Sequence, residues 1–158
     1  MTKNAVKPIP EGFHTLTPHI VVKGLKQAVD FYKKAYGAQA QDLCEGPDGR
    51  LMHAELKIGD SILLLCEESA EYGALSPLST KTAGVTLHLY VADADLVFNR
   101  AVKAGARVRM PVADMFWGDR YGQLLDPFGH TWAIATHQED LTKAEIAKRQ
   151  EDFFAVAR

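Results

Sequence analysis

The sequence predicts an α+β fold of two βαβββ modules, whose curved mixed sheets surround a central cavity. Three observations carry this expectation. Thr17-Pro18-His19-Ile20 recurs as Thr86-Leu87-His88-Leu89 at an offset of 69, while Gly37/Gly105 and Gly59/Gly129 keep offsets of 68 and 70. Each copy reads as a strand, a helix and three further strands, because period-2 alternation is interrupted once by a helical period. Neither copy alone can bury a sheet face, so pairing is expected to put the helices outside and the polar strand faces on the cavity.

The chain has 158 residues, which suits one well-buried domain or two small modules fused. Its 47% apolar and 24% charged residues are ordinary for a soluble enzyme or binding protein. A net charge of −2 argues against a nucleic-acid partner, which would need clustered Lys and Arg. No apolar run approaches the roughly 20 residues that cross a bilayer, and Met1–Pro8 lacks the apolar stretch of a signal peptide. Cys44 and Cys66 make neither a disulfide framework nor a Cys-x-x-Cys motif, so a reducing cytoplasm is expected.

Residues 1–13, with Pro8, Pro10 and Gly12, read as a flexible lead. The first module spans 14–66. Leu16–Val22 opens it as a strand, with Leu16, Ile20 and Val22 on one face and Thr17, His19 and Val21 on the other. Pro18 marks this strand as an edge or bulged element. Lys26–Tyr36 takes a helical period, with Ala28, Val29, Tyr32, Ala35 and Tyr36 on one stripe and Gly37 as the stop. Strands follow over Ala40–Glu45, Leu51–Ile58 and Ser61–Cys66, separated by Gly46-Pro47-Asp48-Gly49 and Gly59-Asp60. In the middle one, Met52, Ala54, Leu56 and Ile58 share a face opposite His53, Glu55 and Lys57.

Residues 67–83 are polar, carry Gly73 and Pro77, and read as a linker. The second module, 84–137, begins with a strand over Val85–Val91, with Thr86, His88 and Tyr90 on one face. Asp93 is a suitable N-cap for a helix over Ala94–Ala104, whose apolar positions are Leu96, Val97, Val102 and Ala104, and Gly105 ends it. A strand near Arg107–Met110 and a Pro111 loop come next. Then Trp117-Gly118-Asp119-Arg120 forms a turn ahead of a hairpin, in which Asp126-Pro127-Phe128-Gly129 joins Leu124-Leu125 to Trp132–Ala135. Residues 138–158 form a C-terminal helix, opened by the capping box Thr142-x-x-Glu145 and striped by Ile146, Gln150, Phe153 and Phe154. Such a stripe packs on its own domain or on a second subunit.

The paired modules, His14–Gly37, His53-Ala54-Glu55-Leu56, Trp117-Gly118-Asp119-Arg120-Tyr121-Gly122 and Asp126-Pro127-Phe128-Gly129-His130-x-Trp132 together resemble the vicinal oxygen chelate superfamily. That superfamily holds glyoxalase I, bleomycin-resistance proteins and extradiol dioxygenases, and the similarity is to its PhnB-like branch. The resemblance implies the glyoxalase/bleomycin resistance-like fold, a homodimer and a small organic ligand in the cleft, with the specific activity open. It also implies an alternative: a metal-dependent lyase, isomerase or dioxygenase acting on vicinal oxygens. Such enzymes hold a divalent metal through one ligand from the first and one from the last strand of each module. Those positions fall on Thr17 and Thr86 and near Leu63 and Ala133, none a good ligand, so no metal residue and no cofactor is assigned. Nor is there a Gly-rich strand-to-helix loop for a nucleotide-like methyl donor.

The ligand-pocket candidates are Thr17, His19, His53, Glu55, Thr86, His88, Tyr90, Trp117, Asp119 and Arg120. His19 and His88, with His53 or Glu55, have the donor types for Zn²⁺, Fe²⁺ or Mn²⁺, but no short spacing such as His-x-x-x-His supports a metal, and the competing expectation is hydrogen-bonded cleft histidines. Glu55 is the candidate general base; the competing expectation is a contact with His53 or Lys57. Trp117, Asp119 and Arg120 suit a lid that stacks on a planar ligand while Arg120 grips an anion. Alternatively Asp119 and Arg120 pair to stiffen the turn and Trp117 plugs a dimer seam. His130 is read as structural, His14 and His137 receive no role, and Tyr32, Tyr36 and Trp132 are read as core.

Overall fold

The computed structural model describes residues 6–157. Residues 1–5 of the expected lead over 1–13 lie outside the described residues. The chain divides between Thr82 and Ala83 into two compact units, each with one four-stranded mixed sheet.

In the first unit β1 (His19–Val22), α1 (Leu25–Tyr36), β2 (Gln39–Glu45), β3 (Leu51–Ile58) and β4 (Ser61–Glu67) form a sheet of order β1-β4-β3-β2. β1 runs parallel to β4, and the other pairs are antiparallel. β1 is an edge strand, as Pro18 requires, and begins at His19, later than the expected Leu16. Pro18 has no N–H to give, so only its carbonyl joins the ladder, accepting from Leu64 N at 2.9 Å; Leu16 is left exposed.

The expected stripe of α1 is buried, together with Leu25 and Phe31, over β3 and β4, whose Ala54, Leu56 and Leu65 are buried too. Residues 67–83 are more than a polar connection: they hold a 3₁₀ turn (Ala70–Tyr72) and α2 (Pro77–Thr80). The Glu68 carboxylate fastens this stretch, accepting from Ser76 N at 2.6 Å and from Ser79 Oγ at 2.7 Å.

The second unit repeats the topology. β5 (Thr86–Tyr90), α3 (Ala94–Ala104), β6 (Arg107–Asp114), β7 (Asp119–Leu125) and β8 (Thr131–His137) form a sheet of order β5-β8-β7-β6, with β5 parallel to β8. α3 has the expected bounds, and its Asp93 cap accepts from Leu96 N at 2.9 Å. Its buried side is Ala94, Val97, Phe98 and Ala101; Leu96 and Val102 face outward, because only the former set keeps the i, i+3, i+4, i+7 spacing. Pro111 lies inside β6, not in a loop after it. This is tolerated because β6 is an edge strand whose register already shifts between Met110 and Ala113.

The two units hold their helix starts at equivalent places with different chemistry. In the first, Glu67 at the end of β4 accepts from Gly24 N at 2.8 Å and Leu25 N at 2.6 Å. In the second, Thr136 of β8, 69 residues on, accepts from Ala94 N at 2.8 Å and donates to Val91 O at 2.8 Å. Both satisfy N–H groups that a helix start leaves open.

α4 (Lys143–Val156) starts with the expected capping box at Thr142 and Glu145. None of its residues is buried; Phe153 and Phe154 stay about half-exposed while their rings approach Phe116 with centroids 5.5 and 6.3 Å away. No helix among the described residues is long and apolar enough to cross a membrane.

Candidate functional site

Each sheet has one face under its helix and one face without it. In the first unit the face away from α1 carries His19, His53, Glu55, Leu64 and Cys66. Register places His19 beside Leu64, Leu64 beside Glu55, and Cys66 beside His53. The imidazoles of His19 and His53 meet edge to face, 5.4 Å between centroids. Burial, and then the nearby His53, hold the His19 pKa below the usual histidine value. Glu55 is half-buried on this face, between Asp42 of β2 and Leu64 of β4 in register. Thr17 lies ahead of β1 and donates to His14 O at 2.9 Å.

In the second unit the corresponding face carries a continuous aromatic layer. Ala133 and Ala135 of β8 are fully buried and form its floor. Side chains from β5 and β7 lean over them: His88 lies 4.5 Å from Tyr90 and 5.8 Å from Tyr121, and Trp117 lies 5.4 Å from Tyr121. Small residues on the central strand leave room for these rings to meet above it. Gln123 Nε2 donates to the Tyr121 hydroxyl at 2.7 Å, and Arg109, on the bulged part of β6, donates to Thr131 Oγ1 at 2.7 Å. Thr86 is at the start of β5, opposite Thr131.

One end of this layer is organised by Asp119, which is 3% exposed. Its Oδ2 accepts from Tyr90 OH at 3.0 Å and Trp117 Nε1 at 3.1 Å; its Oδ1 faces His137 Nδ1 at 2.7 Å. Partial desolvation of its hydroxyl end, and then the hydrogen bond to Asp119, raise the Tyr90 pKa although most of the ring is exposed.

Arg120 is not part of this cluster. Its guanidinium donates to both oxygens of Asp95 on α3, at 2.6 and 2.9 Å, and to Asp114 at 3.1 Å. The expected Asp119–Arg120 pair therefore does not form, and Arg120 is already engaged by two carboxylates. Consecutive residues on a strand point to opposite faces, and these two begin β7 instead of sitting in the turn before it.

The sequence assigns His137 no role, yet its Nδ1 is the ring partner of the buried Asp119 carboxylate. The signal was in the hairpin. Counting outward in equal steps from the closing pair Asp126 and His130, where Asp126 N donates to His130 O at 2.9 Å, pairs Leu125 with Thr131, Tyr121 with Ala135, and Asp119 with His137. The turn itself is held by the buried Asp126, whose Oδ1 accepts from Phe128 N and His130 N at 2.9 Å, and whose Oδ2 accepts from Trp132 Nε1 at 2.9 Å.

The metal positions implied by the resemblance do not fit a divalent ion. β-sheet register gives His19 opposite Leu64 and His88 opposite Ala133, so the counterpart of Ala133 is Leu64, one residue beyond the expected Leu63. Neither side chain has a donor atom, and Thr17 and Thr86 offer only hydroxyls. Among the described residues, no group of three or more His, Cys, Asp or Glu comes together as a metal ion would require.

The model of the glyoxalase/bleomycin resistance protein/dioxygenase superfamily matches residues 12–134. An uncharacterized protein of Mycobacterium bovis is 40% identical over 134 residues, covering 83% of this chain and 88% of that protein. Among solved structures, an Arabidopsis thaliana gene product, AT5G48480, superposes with a TM-score of 0.63 at 28% identity, covering 78% of this chain and 98% of that one. TioX from Micromonospora sp. ML1 does so with a TM-score of 0.63 at 24% identity over 78% and 98%, which speaks for the fold alone.

Proposed function

Because this chain belongs to the glyoxalase/bleomycin resistance protein/dioxygenase superfamily, we propose that it binds a small planar organic ligand on the helix-free face of its second sheet. The observation that carries this is the ring layer of His88, Tyr90, Tyr121 and Trp117 above Ala133 and Ala135. Stacked and edge-on rings give large contact area at little conformational cost. Tyr90 is 61% exposed, so the layer is open to a partner. The Tyr121 hydroxyl and the Arg109 guanidinium keep donor capacity for an acceptor group on the ligand. In the first unit, His19, His53 and Glu55 form a second, polar candidate surface.

The Trp117–Arg120 and Asp126–Gly129 motifs support placing the chain in the PhnB-like branch, and the resemblance supports a homodimer. Two isolated thiols suit a reducing cytoplasm. Analytical ultracentrifugation tests the dimer directly.

The ligand reading is tested by titrating the labelled protein with a panel of planar aromatic compounds and following the Trp117 indole N–H. A binder that stacks on the layer moves this signal, and Tyr121→Ala or His88→Ala weakens it about tenfold, the equivalent of one lost aromatic contact. Arg120→Ala leaves affinity unchanged. Binding that ignores the ring variants, or responds to Arg120→Ala, overturns the proposal.

A further inference from the structure

His137 ends β8 with its imidazole between two carboxylates. Nδ1 lies 2.7 Å from Asp119 Oδ1, and Nε2 lies 2.9 Å from Asp140 Oδ1. The two acids differ sharply, since the Asp119 side chain is 3% exposed and that of Asp140 is fully exposed. Asp140 stands two residues before Thr142, the N-cap of α4. A neutral imidazole has one N–H and an imidazolium has two, so only the protonated ring can donate to both acids. From this geometry we propose that His137 is a proton-operated latch. Protonated, it ties segment 138–141 and the start of α4 to the buried Asp119; deprotonated, it lets that segment go.

The asymmetry of burial decides which bond survives. A buried carboxylate that loses a donor has no water to replace it, whereas Asp140 does. The remaining N–H therefore stays with Asp119, and the bare Nε2 lone pair turned toward Asp140 repels it. Few other contacts among the described residues fasten the segment, where Leu141 is half-buried beside Gly118. Gln138 N and Glu139 N share the carbonyl of Gly118, at 3.0 and 3.1 Å. Arg149 of α4 pairs with Glu139 at the surface at 2.7 Å, and Phe116 meets Phe153 and Phe154.

The charged and titratable groups around the latch come from every neighbouring element: Tyr90 on β5, Asp119 on β7, Glu139 and Asp140 after β8, and Glu145 and Arg149 on α4. His88, beside Tyr90, lies one residue pair further along β5. Hydrogen bonds to Asp140 and then to Asp119 raise the His137 pKa above its ordinary value. The tether is therefore complete below that ordinary value and is lost as pH rises through the raised one. Asp119 also accepts from Tyr90 and Trp117, so the same proton reaches the ring layer; only this last consequence rests on the ligand reading.

The test uses the full ¹⁵N-labelled chain without ligand, titrated from about pH 5 to about pH 9. The two indole N–H signals report separately: Trp117 donates to Asp119, and Trp132 donates to Asp126, a carboxylate remote in sequence from His137. The Trp117 signal is expected to move in one step that coincides with titration of the His137 ring, while Trp132 stays still. Amide exchange over 138–141 and the first turn of α4 accelerates above the midpoint. Asp140→Asn, a change at a wholly exposed side chain, lowers the midpoint, and His137→Gln removes the transition with the Trp132 signal in place to report folding. A Trp117 signal that is flat with pH, or whose transition survives in His137→Gln, overturns the latch. Because no ligand is present, that failure is distinct from failure of the ligand reading.

Discussion

Asp119 and Arg120, consecutive on β7, form two separate networks on opposite faces of one sheet. Asp119 gathers Tyr90, Trp117 and His137 on the helix-free face. Arg120 clamps β7 to α3 through Asp95 and to β6 through Asp114. A motif that reads as one functional unit in the sequence is divided by the pleat into a site half and a scaffold half.

The division predicts opposite phenotypes. Asp119→Asn removes the charge that His137 pairs with, so the His137 pKa falls and the Trp117 indole N–H shifts. Arg120→Ala leaves both signals in place and lowers the thermal midpoint only slightly, since its ion pairs with Asp95 and Asp114 are largely solvent-exposed. NMR titration of the two variants beside a melting curve separates the outcomes.

Asp126 is predicted to be a stability residue without a role in binding. Asp126→Ala strands two backbone N–H groups and the Trp132 indole in a buried turn. The expected loss is about 3 kcal/mol or more in denaturant unfolding, at the upper end for a buried network. Asp126→Asn, which keeps acceptor oxygen, should lose clearly less.

Gly122 and Gly118 set two close approaches. A Cβ on Gly122 would stand 2.8 Å from Phe98 Cε2 and 3.0 Å from Val112 Cγ2, so Gly122→Ala forces α3 off β7 at a cost of about 1–3 kcal/mol. A Cβ on Gly118 would stand 2.6 Å from Glu139 O at a φ of +96°. Gly118→Ala should accordingly free segment 138–141, seen as faster amide exchange there, with a strain cost of about 1–3 kcal/mol.

Glu68 predicts an acid-sensitive connection. Its hydrogen bonds from Ser76 and Ser79 pull its pKa down to about 2. A depressed carboxylate stabilises the fold above its unfolded value and loses that contribution as pH falls toward the folded one. Protection of residues 69–80 from limited proteolysis should fade with acidification below about pH 4.5. In Glu68→Gln it should be weaker at neutral pH and nearly independent of pH.

Much of the fold was legible in the chain because the signals are local. Period-2 alternation marked β3 over Leu51–Ile58 with its observed ends, and Asp93 with Gly105 bracketed α3 correctly. Errors came where a local rule met a tertiary exception. Pro111 reads as a loop but lies in an edge strand, and of the apolar positions expected on α3, Leu96 and Val102 stay exposed while Val97 is buried. Of the site, Tyr90, Trp117, His88 and Asp119 are legible as candidates from strand faces and motif. Tyr121, Gln123 and Arg109 are not, because their roles appear only when neighbouring strands are aligned.

The sequence by itself determined the two βαβββ repeats, the order of the elements and the Asp126 turn, since each follows from spacing within a few residues. Only the tertiary structure decided the partners. Arg120 reaches Asp95 across 25 residues, Leu25 reaches Glu67 across 42, and His137 meets Asp119 across 18. Which side chains meet at such separations depends on register, bulges and strand order, and a shift of one residue would exchange the two faces entirely. That sensitivity is why Asp119 became the buried hub of the site while its neighbour became part of the frame.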